Sequence, residues 1–197
     1  MRAEDVLEFW FGDGSTAIAE KKGLWFRASD ELDAEIRARF GSAVEAALAG
    51  GFGEWLATAR GRLALIILLD QFTRNIYRGS GVAFSGDLLA QRYCLDGLER
   101  GDDRSLSPYE RVFFYLPLEH AEDLALQERS VALFENNLKS AKKTAAETDA
   151  ASFLDYARRH RDVIAEFGRF PHRNSRLGRE TRHAERLFLE RPGSSFG

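Results

Sequence analysis

Apolar residues recur along this chain at helical spacing almost throughout, and the two-residue alternation of a half-buried strand is nearly absent. Leu32, Ile36 and Phe40 stand four apart behind Ser29, a side chain suited to the N-cap. Ser42 and Glu45 then fit a capping box that opens a further helix, and "GGFG" at 50–53 interrupts the chain before Trp55. A helix over 87–98 is closed by Gly101, and "SPYE" at 107–110 starts another with serine at N-cap, proline first and glutamate third. Pro117 disfavours the α conformation at Leu116 and has no amide to donate, so it predicts a break or kink, with a fresh helix from there to about 138. "KSAKKTAAETDA" at 139–150 contains no core-forming residue and reads as an exposed connection. Helices over 152–167, closed by Gly168, and over 182–190 complete the chain. The pattern predicts an all-α fold of about eight helices in antiparallel pairs, as one domain spanning 1–197.

The most informative segment is "RLALIILLDQFTRNIYRG" at 62–79. At 100° per residue Leu65, Leu69, Phe72 and Ile76 fall on one side, and Asp70, Gln71, Arg74, Asn75 and Arg78 occupy an arc of about 140° opposite. Leu63 and Ile67 lie on that same polar side one or two turns earlier. A helix that enters apolar all round and turns polar in its second half suits the middle of a domain, with its polar half lining a cleft.

Composition narrows the function classes. The apolar run 63–69 is a core segment, far short of a membrane span, and the N-terminus lacks the basic start and apolar centre of a signal peptide, so a cytoplasmic protein is expected. The single cysteine, Cys94, excludes an intramolecular disulfide and reads as a packed thiol. Charge is unevenly spread: residues 151–197 hold ten arginines, no lysine and six acids, within a chain of net charge −3. Arginine alone suits the grip of carboxylate or phosphate. A nucleic-acid arm mixes in lysine and runs longer, so nucleic acid is not the expected partner.

Within that tail, "FGRFPHRNSRLGR" at 167–179 carries four arginines and no acid. Gly168, Asn174 and Gly178 tolerate positive φ, and Phe167, Phe170 and Leu177 offer anchors, so a shaped loop is expected. Two histidine-bearing segments belong with it. "LPLEHAED" at 116–123 puts Glu119, His120, Glu122 and Asp123 in the first turns of the helix after Pro117, and His160 with Asp162 precedes the loop. No nucleophile motif stands out, and Ser194 and Ser195 in "PGSSFG" are turn residues. His183 reads as structural, and Trp10, Trp25, Trp55 and most phenylalanines as core.

The segments "VLEFWFG", "DQFTRNIYRG", "LPLEHAED", "FGRFPHRNSRLGR" and "FLERPGSSFG", five blocks in order over essentially the whole chain, resemble the bacterial family catalogued as domain of unknown function 924. The resemblance implies a tetratricopeptide-repeat-like right-handed helical array and no particular activity or cofactor. After its "LGR" block this chain has "ETRHAERL" at 180–187, in place of the family's Ser-Thr capping signal and acids. Thr181 can still cap there, while Arg182 and His183 oppose the helix dipole.

Three functions are compatible with these residues. The first is a site for a small anionic ligand, phosphate or carboxylate. Asp70, Gln71, Arg74, Asn75, Arg78, Arg169, Arg173, Asn174 and Arg179 would line it, and His120, His160, His172 and Glu119 would move protons. The second is a helical module that binds a peptide segment, its arginines tied to Asp70, Glu119 and Glu122 in a structural network. The third is a metal site drawn from Glu119, His120, Glu122, His160 and His172. The spacing lacks two histidines one turn apart, so no metal is expected.

Overall fold

The computed structural model describes residues 1–13, 18–25 and 29–194, all-helical among those residues and without strands. Ser195 lies outside them. The helices are α1 (Ala3–Phe11), α2 (Ile18–Trp25), α3 (Asp30–Leu48), α4 (Ala59–Ile66), α5 (Thr73–Ile76), α6 (Asp87–Arg100), α7 (Pro108–Glu119), α8 (Leu124–Ala141), α9 (Glu147–Phe167) and α10 (His183–Leu189). A π-helical turn, Ile67–Phe72, joins α4 to α5 without a break. The chain divides into two compact units: Met1–Arg78 with Val82–Pro117, and Gly79–Gly81 with Leu118–Gly197.

In the first unit aromatic rings and the apolar run 63–69 make the core. Every residue of that run is fully buried. Phe72 meets Trp10 edge-on at 5.4 Å and Phe40 at 4.9 Å, and Trp25 packs on Phe113 at 4.9 Å, separations favourable for offset and T-shaped pairs. Trp55 departs from the core reading: it is half-buried and stacks at 4.5 Å on Phe52, which stands at φ 61. Cys94 is buried in α6.

Several boundaries differ from the predicted ones. The Ser29 hydroxyl caps α3 as expected, accepting from the Leu32 amide at 3.3 Å. The same helix then runs through Ser42 to Leu48, because Ala43, Val44 and Ala47 continue the buried stripe of Leu32, Ile36 and Phe40. Burial overrides the cap-like letters. The reciprocal Ser107–Glu110 box starts α7, at 3.3 and 2.8 Å. That helix does not break at Pro117 but continues to Glu119. Glu119 and His120 therefore end a helix instead of starting one. The next begins only after Asp123, whose carboxylate accepts the Leu126 amide at 2.9 Å.

The second unit is built on α8 and α9. Their connection is only 142–146, shorter than predicted, since Ala141, Ala146 and Ala150 are buried and let the two helices approach. The buried face of α8 is Gln127, Ser130, Phe134, Asn137 and Ala141; that of α9 includes Leu154, Ala157, His160, Val163 and Ile164. Phe170 is fully buried beside Val163 and Ile164, and Phe167 packs on Phe188 at 5.1 Å. Leu177, expected as an anchor, is 39% exposed. Gly168 closes α9 at φ 70, where its amide reaches the Ile164 carbonyl at 2.8 Å.

Candidate functional site

In the first unit the polar residues at 70–78 are largely bound to one another and to nearby acids. The π turn places Asp70 at 0% exposure, against the expectation of a cleft-facing carboxylate. The extra residue in the turn shifts the polar stripe inward. Gln71 donates to Asp70 at 2.6 Å, and Arg74 lies 3.2 Å from Asp70 and 3.0 Å from Asp87. Gly86 permits the approach of Asp87, for a Cβ there would sit 2.2 Å from the Leu69 carbonyl oxygen. One turn on, Asn75 and Arg78 both grip Asp33, Asn75 at 2.7 Å and Arg78 at 2.5 and 2.9 Å. These are two closed ion-pair groups. The same unit has a surface recess of about 470 Å3 lined by Asp5, Glu8, Phe9, Lys21 and Arg39 among others. It holds no imidazole, and its cations are engaged, Lys21 with the Phe9 carbonyl at 3.0 Å and Arg39 with Glu35 at 3.0 Å.

The second unit gathers the remaining candidates. Arg179 forks onto Glu122 at 2.5 and 2.8 Å, and the Phe170 amide donates to the same carboxylate at 2.8 Å. Burial works against ionisation of Glu122, yet these donors hold it below the usual carboxylate range. Arg169 forks onto Glu185 at 2.7 and 2.9 Å, and Asn174 adds a bond to it at 3.1 Å. Glu185 also accepts the Arg182 amide at 2.7 Å, which makes it the capping acid of α10 in place of Thr181. The Arg169 bond first, then the Arg182 amide, lower its carboxyl to about 2. Asn174 sits at φ −56, so its role is not positive φ; its amide oxygen takes Arg179 at 3.0 Å and its NH2 group takes Glu185. The structural network expected from the arginines is present in part: Glu122 takes Arg179 as expected, Glu185, which sequence reasoning missed, takes Arg169, and Asp70 is held by Arg74 of its own helical segment.

Glu119, His120, His160, His172 and Arg173 form a second group around the Phe170 ring. His160 meets Phe170 edge-on at 5.5 Å, His172 lies 5.5 Å from it, and the Arg173 guanidinium stacks over its face at 4.6 Å. The His120 ring is 6.1 Å from that of His160. His160 Nδ1 lies 2.9 Å from the Tyr156 carbonyl and 3.1 Å from a Glu119 carboxylate oxygen. Both neighbours are acceptors. The neutral ring is therefore the Nδ1–H tautomer, and its basic nitrogen is Nε2. Gln127 donates to the Glu119 and Ala121 carbonyls at 2.5 and 2.8 Å and so fixes the turn that presents His120. Burial, then the charge of His120, holds His160 well below its ordinary value; burial, then Arg173 and Arg176, lowers His172 to about 3. Asp162 pairs with Arg161 in solvent, and His183 is exposed.

Among the described residues no set of three or more His, Cys, Asp or Glu is placed to hold a metal, and no helix is long and apolar enough to cross a membrane. Comparison with solved structures finds a protein of unknown function from Agrobacterium tumefaciens, 37% identical, covering 95% of this chain and 96% of that one with a TM-score of 0.81. No curated protein matches. The model of the family described as "Bacterial protein of unknown function (DUF924)" matches residues 6–193, and the chain belongs to that family.

Proposed function

We propose that the second unit binds a small anionic ligand, a phosphate or carboxylate compound, at the cluster of Glu119, His120, His160, His172 and Arg173, and moves protons on it. The observation that carries this reading is the gathering of three imidazoles and a buried guanidinium around one aromatic ring, with one imidazole oriented by a carboxylate. Arg173 supplies the charge that draws the anion, and half-buried His120 and His172 give the cluster its contact with solvent. His160, oriented by Glu119, presents Nε2 as general base, the arrangement in which a carboxylate fixes the tautomer of a working histidine. Arg169, Asn174 and Arg179 hold the loop in shape through Glu185 and Glu122. The reading takes the helices as a tetratricopeptide-repeat-like array in a single cytoplasmic domain.

The test is a thermal-shift screen of phosphorylated and carboxylated metabolites on the intact chain. A ligand at one hundred times its dissociation constant adds about 2.7 kcal/mol of stability, a rise of a few degrees. Arg173→Ala should keep a cooperative melt within a few degrees of the parent and lose the ligand shift, and Arg173→Lys, which keeps the charge without the fork, should retain part of it. If no compound raises the melting temperature, or if Arg173→Ala binds as well as the parent, the reading fails.

A further inference from the structure

The first turns of α8 are held to the second unit by polar groups alone. The buried residues of this helix are Gln127, Ser130, Phe134, Asn137 and Ala141, so between Leu124 and Leu133 only Gln127 and Ser130 turn inward, each at 0% exposure. A helix docked on a neighbour ordinarily buries apolar side chains at these steps of three and four. Gln127 donates its amide protons to the Glu119 and Ala121 carbonyls at 2.5 and 2.8 Å. Its Oε1 and the Ser130 hydroxyl are buried without a hydrogen-bond partner among the described residues. Burying such atoms opposes docking, and opening the segment to water relieves the cost. The segment lies between two anchors. Before it, Glu122 is held by the Arg179 fork and the Phe170 amide; after it, Phe134 is the first buried apolar side chain of the helix. The facing helix is differently built: α9 buries Ala157, Val163 and Ile164, the last two beside Phe170.

We infer that residues 124–133 are a gate: a stretch of helix that unfolds locally, between Glu122 and Phe134, while the rest of the unit stays folded, and thereby uncovers His160. His160 is 5% exposed, so neither a ligand nor a reagent reaches its ring without movement of its surroundings. Glu119 links the ring to the gate. Its carboxylate lies 3.1 Å from His160 Nδ1, and its backbone carbonyl accepts from Gln127. When the first turns of α8 unwind, Gln127 leaves, and the turn at 119–121 that packs on the imidazole loses the side chain that fixes it. The opening is small in free energy because it exposes no fully buried apolar residue and hydrates two polar atoms that folding leaves without partners. The opening rests on α8 alone; its service as a gate rests on the proposed role of His160.

Native-state hydrogen exchange of the intact chain tests the opening. Relative to their intrinsic rates, amides 128–133 should exchange about a hundredfold faster than amides 157–164 of α9. Ser130→Ala removes the buried hydroxyl and keeps a helix-forming residue, so it should slow exchange over 128–133 by about fivefold to tenfold and leave α9 unchanged. Labelling with diethyl pyrocarbonate, which adds to an uncharged imidazole nitrogen, tests the gate. His160 should react far more slowly than exposed His183, and Ser130→Ala should slow His160 by the factor seen in exchange while sparing His183. Exchange over 128–133 as slow as in α9 overturns the opening, and the parent protein alone decides this if the variant does not fold. Faster exchange in Ser130→Ala shows a hydroxyl that holds the helix closed and overturns the account of why it opens. His160 that is never labelled, or is labelled at a rate indifferent to Ser130→Ala, overturns the gate. A blank metabolite screen removes the proposed base and leaves the opening in place, so the two readings fail separately.

Discussion

At the scale of the residue, the basic loop divides into side chains tied to carboxylates and side chains gathered around Phe170, and the division follows the positions of three carboxylates. Glu185 is the one the sequence concealed. It stands sixteen residues from Arg169, and its part as the third residue of α10 is visible only once Arg182 is known to be the N-cap. A stretch of thirteen residues with four arginines and no acid was a signal that acids must come from elsewhere, yet chain distance gave no way to choose among them. Glu185 is fully buried, charged, and surrounded by donors from Arg169, Asn174 and the Arg182 amide. Glu185→Gln keeps the shape and removes the charge, leaving Arg169 without its counter-ion. Because the Arg169 end is partly solvated, the cost falls near the lower end for a broken buried pair, about 3 kcal/mol, to be read as a drop in the urea midpoint. An unchanged midpoint would show that this pair does not hold the loop.

At the scale of the element, periodicity located the helices well and their interruptions poorly. Cap-like letters at Ser42 lost to a continuous buried stripe, and α7 runs through Pro117 to Glu119 before it ends. The π turn had no letter of its own. Its consequence, a carboxylate turned fully inward at Asp70, was therefore out of reach for a wheel drawn at 100° per residue. The two ion-pair groups of this segment should respond very differently to loss of their arginine. Arg74 bridges Asp70 and Asp87, both buried, whereas Arg78 meets Asp33 at the surface. Arg74→Met leaves a fully buried carboxylate facing a second acid and should cost about 3–5 kcal/mol, while Arg78→Met should cost under about 1 kcal/mol. Paired urea denaturation measures both, and equal losses would mean that Asp70 is less isolated from water than its burial implies.

At the scale of the whole molecule, the all-α class followed from spacing alone, but the electrostatic character of the second unit came from pairings no local pattern displays. That character sets how stability responds to acid. His160 is held well below its ordinary value and His172 at about 3, whereas in the unfolded chain both titrate near 6.5. Between the folded and unfolded values the unfolded chain binds more protons, so stability rises with pH up to about 6.5 and falls as pH drops below it. The carboxylates act later. Glu185, at about 2 against an ordinary 4.5, contributes stability that is present above 4.5 and is lost as pH falls toward 2, and Glu122 follows the same sign. The urea midpoint should therefore decline between about pH 6.5 and pH 5, chiefly through these histidines, and decline more steeply below. His172→Asn removes one of the two groups responsible and should make that profile shallower from about pH 6.5 down toward pH 3, leaving the carboxylate contribution in place. A midpoint that stays level from pH 7.5 to pH 5 would show that these imidazoles accept protons in the folded protein as readily as in the unfolded one, and the inward-facing neutral cluster would have to be abandoned.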